Sequence, residues 1–311
     1  MKDNFNREID YLRISLTERC NFKCIYCMPD GCELAPDILS ELEYKNIIRS
    51  FRELGIKKVR FSGGEPLLSP YLENLISYSK ELGIEDIALT SNGLGLSKRL
   101  ENLKELGLKR VNISLDTLRE ERFNSITKSK AFHDVMKSIE MAERLEMELK
   151  INCVLIKGIN EDEIVDLLEF TKNRNLEIRF IELMPIGQGK LYKGVTPKEV
   201  LETLPNLRFI SRRTGNTEGY YQRDGYKGKI SFINPLSCSF CDYCSRVRLT
   251  SRGTIKLCLH SKEEIDLKPF LGEIEGLKKY IEKIIIEKPE KHHMVEEGKS
   301  NSEKFMYQIG G

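Results

Sequence analysis

Three cysteines spaced Cys20-x3-Cys24-x2-Cys27 follow a short run of alternating apolar residues. Three thiolates at this spacing hold three irons of a cubane iron–sulfur cluster and leave the fourth iron without a protein ligand. A zinc site built from them alone would lack its fourth ligand, and structural zinc is nearly always four-coordinate. A second group, Cys241-x2-Cys244-x13-Cys258, again offers three thiolates, with Cys238 three residues before Cys241. If Cys238 joins, that site is a four-cysteine structural zinc or a closed cluster. If it does not, the site is a second cluster with one open iron, and an open iron can bind a substrate. Arg246 and Arg248 alternate with Val247 and Leu249 just past Cys244 and bring two fixed cations toward the metal. Arginine forks match phosphate oxygens well, although either arginine alone reads equally well as part of a solvated strand face.

The open iron of the first group is a place where S-adenosylmethionine chelates through its amino and carboxylate groups. Tyr26, directly before the third cysteine, offers a flat ring for the adenine. The arrangement resembles the signature of the radical S-adenosylmethionine superfamily. Gly63-Gly64-Glu65-Pro66, taken alone, is a turn opening the next helix. Beside a bound ligand, residues without side chains let the backbone come close.

The 311 residues suffice for one large α/β domain or two modest ones. Apolar residues make up 40% and charged residues 32%, the balance of a soluble globular chain. A formal net charge of +2 gives no argument for a nucleic-acid partner, so any cationic patch is local. No stretch approaches the ~20 apolar residues of a membrane span, and Met1-Lys2-Asp3-Asn4 does not open a signal peptide. A cytoplasmic location with no membrane partner is therefore expected. Nine cysteines in that compartment favour metal or redox roles over disulfides, and six of them fall into the two spaced groups. His292 and His293 are adjacent in a charged stretch and read as solvated.

The elements that must position these residues alternate. Strands are expected near 11–16, 57–61, 86–90, 110–114, 149–155 and 177–183. Helices are expected near 40–54, 70–82, 97–106, 131–147 and 161–173. Six strands alternating with five helices imply parallel strands with right-handed crossovers, in a barrel or an open wound sheet. Leu12, Ile14 and Leu16 share one face of the first strand, opposite Arg13 and Ser15. Val111, Ile113 and Leu115 likewise oppose Asn112, Ser114 and Asp116, and Ile151, Cys153 and Leu155 oppose Lys150 and Asn152. A sheet with helices on both faces would be apolar on both sides, and a full barrel fills its interior with Val, Ile and Leu. One polar, cationic face instead suggests an open, partial parallel β/α barrel whose lumen takes an anionic ligand. After residue 184 the pattern changes: Thr196-Pro197 marks a helix start, short strands are expected near 207–210, 218–222 and 228–233, and a helix near 274–287. The boundary is drawn as 1–185 for the barrel core and 186–311 for a C-terminal extension.

The two cysteine groups and the motifs between them closely resemble the GTP 3′,8-cyclase family. The likeness runs over nearly the whole chain, through Cys20 to Pro29, Phe61-Ser62-Gly63-Gly64-Glu65-Pro66, Thr90-Ser91-Asn92-Gly93, Ser114-Leu115-Asp116, Arg179 to Met184, Phe240 to Leu249, and Gly310-Gly311. The resemblance implies a partial barrel of the radical S-adenosylmethionine type, with a C-terminal extension carrying a second iron–sulfur cluster. Cys20, Cys24 and Cys27 would bind the [4Fe–4S] cluster that cleaves S-adenosylmethionine to a 5′-deoxyadenosyl radical. Tyr26, Gly64, Ser114 and Met184 match positions that contact S-adenosylmethionine. Cys241, Cys244 and Cys258 match a second [4Fe–4S] cluster whose open iron meets the guanine of GTP. Arg13, Arg60, Thr90, Lys150, Arg246, Val247 and Arg248 match positions that hold GTP. Arg179 shares its strand parity with Ile181 and Leu183 and is not assigned.

By the same resemblance, the radical takes the 3′ hydrogen of GTP, and the C3′ radical attacks C8 of guanine. Reduction then gives (8S)-3′,8-cyclo-7,8-dihydroguanosine 5′-triphosphate, the first step of molybdenum cofactor biosynthesis. Arg246, Arg248, Gly310 and Gly311 are the catalytic candidates, with the Gly-Gly tail threading into the barrel; a frayed terminus is the plainer reading of such a tail. An electron donor, a homodimer and a downstream cyclic pyranopterin synthase are the implied partners. Cys238 lies outside the family's ligand set and is expected to be a bystander. Two other classes remain in view: a peptide-modifying radical enzyme with an auxiliary cluster, and a non-catalytic electron carrier or zinc-ribbon protein.

Overall fold

A computed structural model describes residues 1–29, 31, 39–212, 219–236, 241–292 and 300–310. Its first half runs β1 (Tyr11–Ser15), α1 (Glu41–Glu53), β2 (Lys58–Ser62), α2 (Leu72–Glu81), β3 (Asp86–Ser91), α3 (Leu100–Glu105), β4 (Arg110–Ser114), α4 (Glu120–Thr127), α5 (Phe132–Arg144), β5 (Glu148–Leu155), α6 (Ile164–Phe170) and β6 (Glu177–Glu182). There follow α7 (Pro197–Thr203), β7 (Leu207–Arg212), β8 (Gly219–Arg223), β9 (Lys229–Ile233), β10 (Arg246–Leu249), β11 (Thr254–Lys256), β12 (Ile265–Asp266) and α8 (Ile274–Ile286).

All twelve strands form one sheet in the order β12-β11-β10-β1-β2-β3-β4-β5-β6-β9-β8-β7. The six expected parallel strands are joined by two more, because β10 pairs parallel with β1 and β9 pairs parallel with β6. Antiparallel strands flank each end, and no pairing among the described residues joins β12 to β7. The sheet is therefore an open, partial β/α barrel. The expected C-terminal strands, here β7, β8 and β9, extend this sheet at its β6 edge, and β10, β11 and β12 extend it at its β1 edge.

Strand alternation sorts the faces as the period of two requires. Leu12, Ile14, Val59, Phe61, Leu89, Val111, Ile113, Ile151 and Ile178 are buried on the outer face under the helices. Tyr44, Ile47, Ile48 and Phe51 of α1 and Val135, Ile139 and Ala142 of α5 are the buried stripes of that helical layer. Ser40 and Glu43 form a reciprocal capping box at α1, and Thr196 and Glu199 do so at α7 with Pro197 at its first position. Helix α4 carries only Phe123, Ile126 and Thr127 as buried residues and has no side-chain cap, so the sequence gives it little signal. Its role is tertiary: the carbonyls of Thr127 and Ile126 accept from Lys23 N at 2.9 Å and Ile25 N at 3.0 Å, and Phe123 meets Phe22 edge-on. It thus braces the first cysteine loop.

On the inner face, Lys150 and Arg179 share one carboxylate. Lys150 Nζ lies 2.9 Å from Glu177 and 3.0 Å from Glu148, and Arg179 Nε lies 3.1 Å from Glu177, which also accepts from Ser231 Oγ at 2.6 Å. Burial alone would raise the Glu177 carboxyl, but Arg179, Lys150 and the Ser231 hydroxyl hold it down at about 2. An ordinary unfolded glutamate titrates at about 4.3. Stability from Glu177 is therefore present above that value and is lost as pH falls through about 2. Glu177→Gln should cost about 3 kcal/mol near neutrality, and its deficit should shrink as pH falls below 4. Anaerobic urea unfolding of both proteins across pH 3 to 7 checks this; a deficit independent of pH would contradict it.

Candidate active site

One cavity of about 700 Å³ opens on the polar face of the sheet, and both cysteine groups line it. Cys20, Cys24 and Cys27 follow the C-terminal end of β1. Cys241 and Cys244 precede β10, and Cys258 follows β11, which runs antiparallel to β10. The two groups therefore lie at opposite ends of the parallel strands. All six are free thiols.

The first loop is built on backbone contacts. Cys27 N and Met28 N both donate to the Cys24 carbonyl, at 2.9 and 3.1 Å. Gly64 N donates to Thr17 O at 2.6 Å and Glu65 N to Arg19 O at 2.7 Å. A Cβ on Gly64 would overlap the Arg19 carbonyl, and one on Gly63 would crowd Thr17. The glycine pair thus lets the chain approach its own cysteine loop, which the sequence reading had as approach to a ligand. The buried Glu65 carboxylate accepts from Ser91 Oγ (2.8 Å), Asn92 N (2.7 Å) and Leu67 N (3.1 Å). Burial pushes it up to about 7 against these donors. Asn92 Nδ2 in turn reaches Cys20 Sγ at 3.8 Å. Burial also pushes the Cys20 thiol up to about 11 and raises Cys24 well above its ordinary value. Tyr26, Gly64, Ser114 and Met184 all line the cavity. Tyr26 Oη donates to Asp116 Oδ2 at 2.7 Å, and Asp116 Oδ1 accepts from Val154 N at 2.8 Å. Burial lifts the Asp116 carboxyl to about 6.

Between the cysteine groups lies a row of cations. Arg248, Arg13 and Arg60 are register partners on β10, β1 and β2, and the row continues through Ala88 to Arg110. All four arginines line the cavity, with Arg246, Lys58, Arg179 and Lys256. Arg110 is paired with Asp86 through two bonds of 2.5 and 2.7 Å. Burial lowers Arg60 to about 9 and Arg248 to about 10; Arg13 on the adjacent strand adds to the effect at Arg60, and Arg246 on the same strand adds to it at Arg248. Arg13 is pulled down by burial and then by Arg248. Arg60 Nε and Tyr11 Oη are buried without a hydrogen-bond partner among the described residues. These are the surroundings of a polyanion with hydrogen-bond acceptors to spare.

The sequence-expected substrate residues divide. Arg13, Arg60, Thr90, Arg246 and Arg248 face the cavity. Val247 does not: it is the register partner of Leu12 on the apolar side and is fully buried there. Lys150 lies on the inner face, but its ammonium is held by Glu177 and Glu148 and does not line the cavity. Arg179, which the sequence left unassigned, does line it, as do Arg110 and Lys58. Strand parity with Ser114 was enough to find Arg110. The tail enters as expected: Gly310 lines the cavity at φ +79°, and Ser62 Oγ donates to its carbonyl at 3.1 Å. Arg248 Nη1 donates to Ile309 O at 3.2 Å. A Cβ on Gly310 would come within 2.7 Å of Ser62 Oγ. Gly311, Cys238 and His293 lie outside the described residues. His292 is not solvated: it is half-buried and packs on His260 with ring centres 4.6 Å apart.

Among the described residues, no three Cys, His, Asp or Glu donors are already gathered as a metal site. The fit to iron therefore rests on the donor chemistry: two sets of three free thiols facing one buried cavity. Thiolate ligands suit iron–sulfur clusters, whose metal charge stabilises the deprotonated sulfur.

A family model described as the Radical SAM superfamily matches residues 14–171, and one described as Molybdenum Cofactor Synthesis C matches residues 176–294. The chain is 46% identical to the GTP 3′,8-cyclase of Clostridium botulinum (strain Hall) and 46% identical to that of Clostridium acetobutylicum, in each case over the whole of both chains. It is 41% identical to the GTP 3′,8-cyclase of Listeria welshimeri, over all of this chain and 99% of that one. The crystal structure of Streptococcus suis SuiB bound to S-adenosylmethionine superposes with a TM-score of 0.63 at 16% identity. That match covers 86% of this chain and 65% of SuiB, and it shows a shared fold. No helix among the described residues is long and apolar enough to cross a membrane. With its two matched regions in order and relatives aligned from end to end, the chain belongs to the GTP 3′,8-cyclase family of the radical S-adenosylmethionine superfamily.

Proposed function

We propose that the cavity brings S-adenosylmethionine and GTP together, with Cys20, Cys24 and Cys27 holding one [4Fe–4S] cluster and Cys241, Cys244 and Cys258 a second. The observation that carries this reading is the single cavity, lined by both cysteine groups, with a row of arginines between them. The reaction is the conversion of GTP to (8S)-3′,8-cyclo-7,8-dihydroguanosine 5′-triphosphate, the first step of molybdenum cofactor biosynthesis, and the enzyme is a lyase. When bound, the first cluster and S-adenosylmethionine supply the 5′-deoxyadenosyl radical that takes the 3′ hydrogen of GTP, and the second cluster supplies an open iron for the guanine.

The protein's own part is binding, orientation and exclusion of water. The Tyr26 ring is fixed by Asp116, so its face is presented without a rotamer search. Gly64, Ser114 and Met184 complete that end. Arg13, Arg60, Arg246 and Arg248, with Arg179 and Thr90, hold the triphosphate and ribose. Lys150 acts through Glu177, setting the charge beside Arg179. Val247 serves by seating β10 against β1, so that Arg246 and Arg248 point inward. The tail enters the lumen at Gly310, where Ser62 and Arg248 hold the carbonyls of Gly310 and Ile309. On this reading, residues 1–185 carry S-adenosylmethionine and residues 186–311 carry the second cluster and the tail, on one shared sheet. An external electron donor, a homodimer, a cytoplasmic location and transfer of product to a cyclic pyranopterin synthase complete the proposal.

Anaerobic turnover of iron-reconstituted protein with dithionite, S-adenosylmethionine and GTP, read by mass spectrometry, is the test. GTP-dependent 5′-deoxyadenosine with an isomeric dihydro product that keeps its triphosphate is expected. Deoxyadenosine without a GTP-derived product would return the substrate question to peptides. Arg13→Ala should weaken GTP binding about 10- to 100-fold in calorimetry, since a hydrogen bond to a charged group contributes about 1.5–3 kcal/mol. Gly64→Ala should act at the other end, lowering iron bound at the first group by displacing the Arg19 carbonyl. Normal iron content and normal S-adenosylmethionine affinity in that variant would contradict the account of the glycine pair.

A further inference from the structure

Beyond α8 the chain returns to the second cysteine group, and two buried cations fasten it there. Arg7 Nη1 donates to the carbonyls of Cys241 (2.9 Å) and Glu290 (2.7 Å), and its Nη2 to that of Pro289 (2.7 Å). Its charge is met by Asp3, 2.6 Å from Nε. Lys288 is 3% exposed. Its Nζ donates to the carbonyl of Arg246 at 2.9 Å and to that of Leu257. Arg246 is two residues past Cys244, and Leu257 immediately precedes Cys258. A single ammonium therefore ties together the two backbone arms that carry these cysteines. Among the described residues, it has no carboxylate partner.

Burying an ammonium costs several kcal/mol unless an opposite charge compensates. The two arms that Lys288 ties carry Cys244 and Cys258, whose sulfurs are anionic when they ligate a cluster. We propose that Lys288 is a positioning residue for the second cluster: it sets the spacing of Cys244 and Cys258 through their neighbouring carbonyls, and its charge favours the reduced cluster. Reduction adds one electron and one negative charge to the cluster, with no bond made or broken in the protein. Net charge and hydrogen bonding near the sulfurs are the levers that set such a potential. The inference rests on the reading that Cys241, Cys244 and Cys258 carry a cluster.

The test uses the full chain with Cys20, Cys24 and Cys27 changed to Ala, which leaves only the second cluster. Lys288→Met, Lys288→Gln and Lys288→Arg are compared with Lys288 intact, each reconstituted anaerobically. Iron per chain and a dithionite titration followed by electron paramagnetic resonance are read. Lys288→Met and Lys288→Gln should lower the equilibrium constant for reduction about tenfold, which for one electron is about 59 mV. Lys288→Arg should restore it. Loss of iron in both neutral variants with retention in Lys288→Arg supports the same role. An unchanged potential in the neutral variants overturns it, as does an equal shift or equal iron loss in all three. If the protein with Lys288 intact takes up no iron, the two-cluster reading itself fails, which is a different result.

Discussion

Repulsion among arginines is the constraint on which this structure turns. Adjacent strands lie about 4.8 Å apart, and Arg248, Arg13 and Arg60 occupy the same register on three consecutive strands. Two unit charges about 5–7 Å apart, at an effective dielectric of about 20, repel by about 2–3 kcal/mol. A row of them facing a buried lumen is tolerable only if the remainder of the fold holds it rigidly and if anions are at hand. Asp86 answers Arg110, and Glu177 answers Arg179 and Lys150. The row on β10, β1 and β2 is where a bound polyanion would gain most.

That constraint explains the sheet's composition. The outer face supplies the apolar burial that keeps the strands in register, so the inner face can be given over to charge. Val247 shows the trade within four residues of β10. It packs in the core opposite Leu12, and by doing so it turns Arg246 and Arg248 toward the lumen. A one-residue slip of β10 would bury both arginines in the core and expel the valine. Register is thus a functional quantity here.

The six parallel strands, the two-faced alternation and the cysteine spacing were legible in the sequence because each is a local pattern. Arg179 was not, since Ile181 and Leu183 share its parity and outvote it, although Asn152 beside it on β5 marks the same row as polar. Lys150 was legible as a lumen-facing residue but not as one engaged by Glu177, because Glu177 reaches it from a neighbouring strand, β6. Helix α4 has too few apolar residues to announce itself, and its contribution is a pair of carbonyls offered to the cysteine loop. Neither Arg7 nor Lys288 stands near a motif. Their roles come from distances of 234 and 42 residues along the chain, closed only by folding.

The two cysteine groups differ in what surrounds them. The first group sits among Glu65, Asp116 and apolar packing, so burial raises its thiols and nearby carboxylates raise them further. The second is ringed by fixed cations, Arg246, Arg248 and Lys288, and one of its thiols is lowered as a result. Negative surroundings oppose adding an electron, and positive surroundings favour it. A cluster held at the first site would therefore be the stronger reductant, and one held at the second the easier electron acceptor. Because β1 is hydrogen-bonded to both β2 and β10, that asymmetry is set across a single strand. The row of arginines lies between the two sites, so an anion bound there would change the field that both cysteine groups feel.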